Sequence, residues 1–134
     1  MKAARGSGII SSFFLYTGTP HEEIDVEFLG KDTSKVQFNY FKNGVGGHEQ
    51  LVNLGFDAAS AFHDYTIEWR ENSIKWYVDG VLVHSAVGDA STLPTSPTYV
   101  YLNLWNGTGI DAYLGPFNYT VPLEASYDSI KVFR

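Results

Sequence analysis

The chain has 134 residues, about the size of one ordinary domain, with 9 basic side chains against 15 acidic ones and a net charge of −6. That balance argues against the basic face a nucleic-acid binder needs. The absence of cysteine excludes disulfide scaffolds, thiolate zinc sites and cysteine nucleophiles, and no apolar run approaches the roughly 18 residues that span a bilayer. Hydrophobic residues make up 44% and charged residues 18%, the composition of a chain with a core rather than a disordered one. Aromatic residues reach 16%, more than a small core usually needs. Strands favour them, and so do surfaces that stack on sugars.

From the N-terminus, Met1 to Arg5 and the apolar Gly8 to Tyr16 mimic a secretory leader. Ser11 and Ser12 interrupt the apolar stretch and no small-residue cleavage site follows, so GIISSFFLY reads as a strand. Period-two alternation then predicts strands at Gly8–Tyr16, Glu23–Leu29, Lys35–Phe41, Glu49–Leu54, Tyr65–Arg70, Ile74–Val78, Val81–His84, Thr98–Trp105 and Ala125–Phe133. Asp79-Gly80 between two strands is a two-residue hairpin signal, and Asn43-Gly44 marks a loop or bulge. Ser91 to Pro97 is a surface link. Asn106 to Pro122 is the longest irregular stretch, and long loops in compact domains are often functional. Trp69 and Trp76 read as core, His48 and His63 as loop or strand-end residues, and His84 as exposed at a strand end. With no repeat or linker, residues 1–134 read as a single all-β sandwich domain.

Side chains alternate across a strand. Three strands therefore carry one greasy face and one polar or aromatic face. Ile24, Val26 and Phe28 lie opposite Glu23, Asp25 and Glu27. Val36, Phe38 and Tyr40 lie opposite Gln37, Asn39 and Phe41. Val100, Leu102 and Leu104 lie opposite Tyr99, Tyr101, Asn103 and Trp105. The greasy faces should meet a second sheet, and the others should floor a groove.

The sharpest feature is EIDVE, with three carboxylates on one face of one strand. Metal binding, glycoside hydrolysis by a carboxylate pair and an acidic strand that discourages edge pairing are the three readings. Asparagine and aromatic faces on two neighbouring strands favour a sugar site, because rings stack on pyranoses and amides bond hydroxyls. Cα atoms at i and i+4 are about 13 Å apart on a strand. Glutamates can lean across much of that gap, so Glu23 and Glu27 form the working pair. A negative Asp25 between them would raise the cost of ionising its neighbours and keep a proton on one of them.

HEEIDVEFLGKDTSKVQFNYFKNGVGGHE, FHDYTIEW, IKWYVDG, NLWNGTGIDAYLG and PLEASYDSIKVF follow one another along the chain. In this order they resemble the bacterial mixed-linkage β-glucanases, the lichenases of glycoside hydrolase family sixteen. The resemblance implies a concanavalin-like jelly-roll β-sandwich with a groove across one sheet, and hydrolysis of 1,3-1,4-β-glucan with retention. It implies Glu23 as nucleophile, Glu27 as acid/base and Asp25 as the assisting carboxylate. Phe14, Tyr16, Asn39, Phe41, Asn103, Trp105 and Tyr113 fall on groove-lining positions, and Glu49 on that of a groove-side carboxylate. No cofactor is needed for the chemistry. A structural calcium is implied, with Asp128 matching its side-chain ligand. Secretion is implied too, although no convincing signal peptide is present.

The sequence also departs from the family. Met1-Lys2-Ala3-Ala4 matches an internal family segment, so the resemblance implies a partial domain, N-terminally truncated, without several groove residues and the calcium site's backbone ligands. That in turn implies a homo-oligomer or a complementing fragment. His21 stands where lichenases usually have Trp and matches xyloglucan endotransglycosylases better. Phe41 replaces a common groove Tyr, and Tyr113 a common Trp. A transglycosylase or an inactive carbohydrate-binding fragment are the rival functions.

Overall fold

A computed structural model describes residues 1–96 and 99–133 of the chain. Its elements are β1 (Ile9–Tyr16), β2 (Glu23–Leu29), β3 (Lys35–Phe41), β4 (Gln50–Asn53), β5 (Tyr65–Arg70), β6 (Ser73–Val78), β7 (Val81–Val87), β8 (Tyr99–Asn106) and α1 (Asp111–Leu114). They build two antiparallel sheets, one in the order β4-β3-β2-β1-β8 and one in the order β5-β6-β7. Eight predicted strands are present within a few residues of their expected ends. Thr98, the expected start of the eighth, and Pro97 of the preceding link lie outside the described residues.

Two turns set the local register. Asp79 (φ 48°) and Gly80 (φ 78°) both take positive φ, as a tight hairpin turn whose twist matches its strands requires. Asn43 (φ 50°) and Gly44 (φ 78°) do the same. Lys42 and Val45 exchange both backbone bonds at 3.0 Å around them, so the expected loop is a two-residue turn.

The core lies where β2 and β3 cross the second sheet. Ile24, Val26, Phe28, Val36 and Phe38 are buried against Ile74, Trp76 and Val78 of β6. Trp76 occupies the centre. Its ring stacks with Phe38 at 5.5 Å between centroids, and its indole N–H donates to the Asp25 carbonyl at 3.0 Å. His84 departs from expectation. β7 runs on to Val87, so His84 is mid-strand and half-buried, its ring 5.1 Å from that of Trp76. Burial pushes its pKa down.

Two further expectations fail. Ala125–Phe133 is not a strand: only Ser126 bridges, to Lys2, and Ile130, Val132 and Phe133 are exposed. A strand needs a neighbour for its amides and carbonyls, and this segment runs along no sheet edge. Instead the Tyr127 hydroxyl reaches the carbonyls of Ser12 and Asn103, at 2.7 and 2.9 Å. Nor does the greasy face of β8 meet a second sheet. Val100, Leu102 and Leu104 are exposed, because the three-stranded sheet covers β2 and β3 and does not extend beneath this edge strand.

Glu22 is a structural residue that the alternation pattern hides. It points away from Glu23 and is 1% exposed. Lys42 Nζ donates to it at 2.5 Å, and the backbone N–H groups of Thr95 and Ser96 donate at 2.7 Å each. Burial opposes its charge, but these donors outweigh burial and hold its pKa at about 2. One carboxylate thus ties the entry of β2 to the exit of β3 and to the link before β8. Glu22→Gln should cost about 3 kcal/mol in denaturant unfolding, the scale for breaking a buried pair and leaving its partner uncompensated. Because the folded pKa is depressed, this stabilisation is present above the unfolded value and lost as pH falls from about 4.5 towards about 2. A wild-type unfolding free energy that stays flat across that interval would contradict the assignment.

Candidate active site

β2 sits in the middle of the larger sheet, so the antiparallel register sets residues abreast across it. Tyr99, Tyr16, Glu23 and Phe41 form one row. Tyr101, Phe14, Asp25 and Asn39 form the next, and Asn103, Ser12, Glu27 and Gln37 the third. The expected polar and aromatic faces therefore coincide on one side of the sheet. The short helix α1 folds back over that side, where Leu114 packs on Ile10 and Leu29 and brings Tyr113 to the groove.

A cavity of about 390 Å³ opens over the carboxylate row. Of the sequence-predicted residues, Glu23, Asp25, Glu27 and Glu49 line it, together with Asn39, Phe41, Trp105 and Tyr113. Phe14 and Tyr16 lie on the same sheet face beside it, Phe14 stacked on Tyr101 at 5.3 Å. Asn103 accepts from the Ser12 hydroxyl at 2.5 Å. Asn39 accepts from the His48 N–H at 3.2 Å and reaches Glu49 at 3.5 Å.

Two groove residues escaped the sequence assignment. Gln37 donates to Glu27 Oε2 at 2.9 Å and reaches the Tyr113 hydroxyl at 2.5 Å. Its place on the Asn39 face was the available signal. His21 Nε2 lies 2.7 Å from Glu23 Oε2. Its signal was the same alternation, carried two residues upstream of Glu23.

The three carboxyls stand in unequal environments. Asp25 is 3% exposed. Burial first, then the charges of Glu23 and Glu27, push its pKa far above the carboxylate range. Holding its proton, Asp25 has a donor to offer its neighbour Glu23. Burial also raises Glu27. Donation from Gln37 opposes the rise, and the charges of Glu23 and Glu49 add to it. This revises the expected division of labour: Asp25 keeps a proton itself, and the proton on Glu27 is favoured by burial rather than by a negative Asp25.

Asp128 lies apart from this groove, in a small cavity with His63, Asp64 and Asp79. The Asp79 carboxylate is already engaged by His63 at 2.7 Å and by the Asp64 N–H at 2.9 Å. Among the described residues no three His, Cys, Asp or Glu side chains gather to hold a metal.

The profile of Glycosyl hydrolases family 16 matches residues 1–121. A β-glucanase of Paenibacillus polymyxa is 56% identical over 135 aligned positions, which cover 98% of this chain and 56% of that protein. The solved β-glucanase of Bacillus licheniformis is 56% identical and superposes with a TM-score of 0.84, over 91% of this chain and 57% of that one. A β-1,3-1,4-glucanase (lichenase) from a mouse hindgut metagenome is 47% identical, with a TM-score of 0.81 over 88% of this chain and 56% of that one. The chain spans about half the length of the relatives it matches.

The buried carboxyls predict a stability cost at high pH. A group whose folded pKa is raised contributes stability below its unfolded value of about 3.9 and loses it as pH climbs towards the folded value. Asp25→Asn removes that ionisation and keeps a donor towards Glu23. Its thermal midpoint should exceed the wild type's by about 3–5 °C at pH 8, with little difference at pH 4. Parallel wild-type and variant melting curves across this range would refute the assignment.

Proposed function

The chain belongs to glycosyl hydrolase family 16, and on that premise we propose that its groove cleaves mixed-linkage 1,3-1,4-β-glucan with retention. The observation that carries the reading is the unequal environment of two glutamates on one strand face. Both are half-buried, but Glu27, bonded by Gln37, is favoured by desolvation to hold a proton, while Glu23 is met by the His21 ring at 2.7 Å. An acid that keeps its proton beside a second carboxyl free to attack is what double displacement needs.

In the first step a Glu23 oxygen attacks the anomeric carbon and the glycosidic C–O bond breaks. The proton of Glu27 passes to the departing sugar oxygen. In the second step Glu27 takes a proton from water, the resulting hydroxide oxygen bonds to the anomeric carbon, and the Glu23 carboxylate leaves. Asp25, donating to Glu23, disperses the charge that Glu23 carries before and after each turnover. Gln37 holds one Glu27 oxygen and leaves the other for the proton transfer. Trp105, Tyr16, Phe14 and Phe41 supply apolar faces for sugar rings, and Asn39 and Asn103 supply amides for hydroxyls. A polysaccharide too large to enter a cell places such a reaction outside it.

Glu23→Gln should lower release of reducing ends from mixed-linkage glucan by more than about a thousandfold while binding persists. Azide should restore turnover to Glu23→Ala and give product of inverted configuration. Unchanged hydrolysis by Glu23→Gln would remove this reading.

The open edge of the larger sheet supports a second copy of the chain as partner. β8 is hydrogen-bonded only to β1 among the named strands, and Val100, Leu102 and Leu104 on one face join Tyr99, Tyr101 and Trp105 on the other as exposed apolar side chains. An exposed, apolar edge of eight residues is a template for strand pairing. Sedimentation at low micromolar concentration should give a mass of at least two chains. A stable, cooperatively folding monomer would refute the assembly.

A further inference from the structure

His21 is held on several sides. Its carbonyl accepts from the Gly44 N–H at 2.8 Å, so the Asn43-Gly44 turn fixes its backbone. Its ring stacks on Phe41 with centroids 4.8 Å apart and planes 17° apart. The Tyr16 ring meets it edge-on at 5.2 Å. These contacts aim Nε2 at Glu23 Oε2, 2.7 Å away.

An exposed histidine–glutamate pair is ordinarily worth little, because two mobile side chains must be held together. Here the ring is immobilised by neighbours before the hydrogen bond forms. The glutamate is 21% exposed and the imidazole 38% exposed, so the pair lies at the mouth of the groove, only partly screened by water. As a nucleophile Glu23 must be ionised and can only accept, and on that reading Nε2 is the nitrogen that carries the proton.

We infer that His21 is a positioning residue for Glu23, which fixes its rotamer by donating to Oε2 and so presents Oε1 to the anomeric carbon. The inference rests on the reading of Glu23 as the nucleophile. Attack requires the carboxylate oxygen near contact distance and in line; Asp25 lies beneath Glu23, and a second donor at the groove mouth narrows the rotamers that a long glutamate side chain samples. The donated hydrogen bond also stabilises the carboxylate as it leaves in the second step, a role that stacking alone cannot fill.

Two variants separate the donor from the ring. His21→Phe keeps an aromatic ring against Phe41 and removes the donor. His21→Gln keeps a donor and removes the ring. The readout is covalent labelling by a 2-deoxy-2-fluoro-β-glucan oligosaccharide with a dinitrophenolate leaving group. Its first step forms the Glu23 oxygen–carbon bond, expels dinitrophenolate and needs no proton from Glu27. Intact mass gives the rate and peptide mass gives the site. His21→Phe should label about tenfold more slowly, the scale of one hydrogen bond to a charged group. His21→Gln should recover most of the rate, and circular dichroism should show all three proteins folded.

Labelling at Glu23 with equal rates in wild type and His21→Phe would overturn the role of His21 alone. Labelling at another residue, or none in the wild type, would overturn the nucleophile reading and this inference with it. A second measurement needs no turnover. Long-range proton–nitrogen correlation should find the neutral ring of His21 protonated at Nε2, with that preference lost in Glu23→Ala. An Nδ1-protonated ring in the wild type would overturn the inference.

Discussion

Everything in the groove depends on one strand serving two solvents at once. In β2 the odd-numbered carboxyls face the groove while Ile24, Val26 and Phe28 are fully buried on the other side. The aliphatic side is held by Trp76, whose indole bonds the Asp25 carbonyl. The main chain beneath the most strongly perturbed carboxyl is therefore tied to the second sheet. A shift of one residue would put charge in the core and phenylalanine in the groove, so packing energy enforces the register that the chemistry needs.

Much of this was legible from periodicity. Alternation in EIDVEFL, VQFNYF and YVYLNLW placed the carboxyl, amide and aromatic side chains on one face, and the structure puts them there. Alternation could not say which strand would lie at an edge. It thus overstated the cover over Val100, Leu102 and Leu104. It also gave a strand to residues 125–133, whose apolar rhythm has no sheet edge to join. Local pattern reports what a segment could bury, and tertiary placement decides whether anything is there to bury it.

The electrostatics were less legible, for a physical reason. Sequence spacing shows that three carboxyls are close, and like-charge repulsion follows from that alone. Which one keeps the proton depends on depth. Asp25 is shorter than its neighbours and stays near the sheet, where burial dominates. Glu22 shows the converse. It precedes the carboxyl row directly, yet it is structural because Lys42 and two amides meet it on the core side. Neither a lysine twenty residues away nor the amides of a distant link can be read from local pattern.

The shared acceptor at Glu22 also governs how the molecule breathes. The link before β8 would ordinarily open and close as a surface segment, its amides trading protons with water on their own schedule. Thr95 and Ser96 cannot expose theirs without stripping a buried carboxylate of its donors. Their hydrogen exchange should therefore follow the opening of β2 rather than the fraying of an ordinary surface loop.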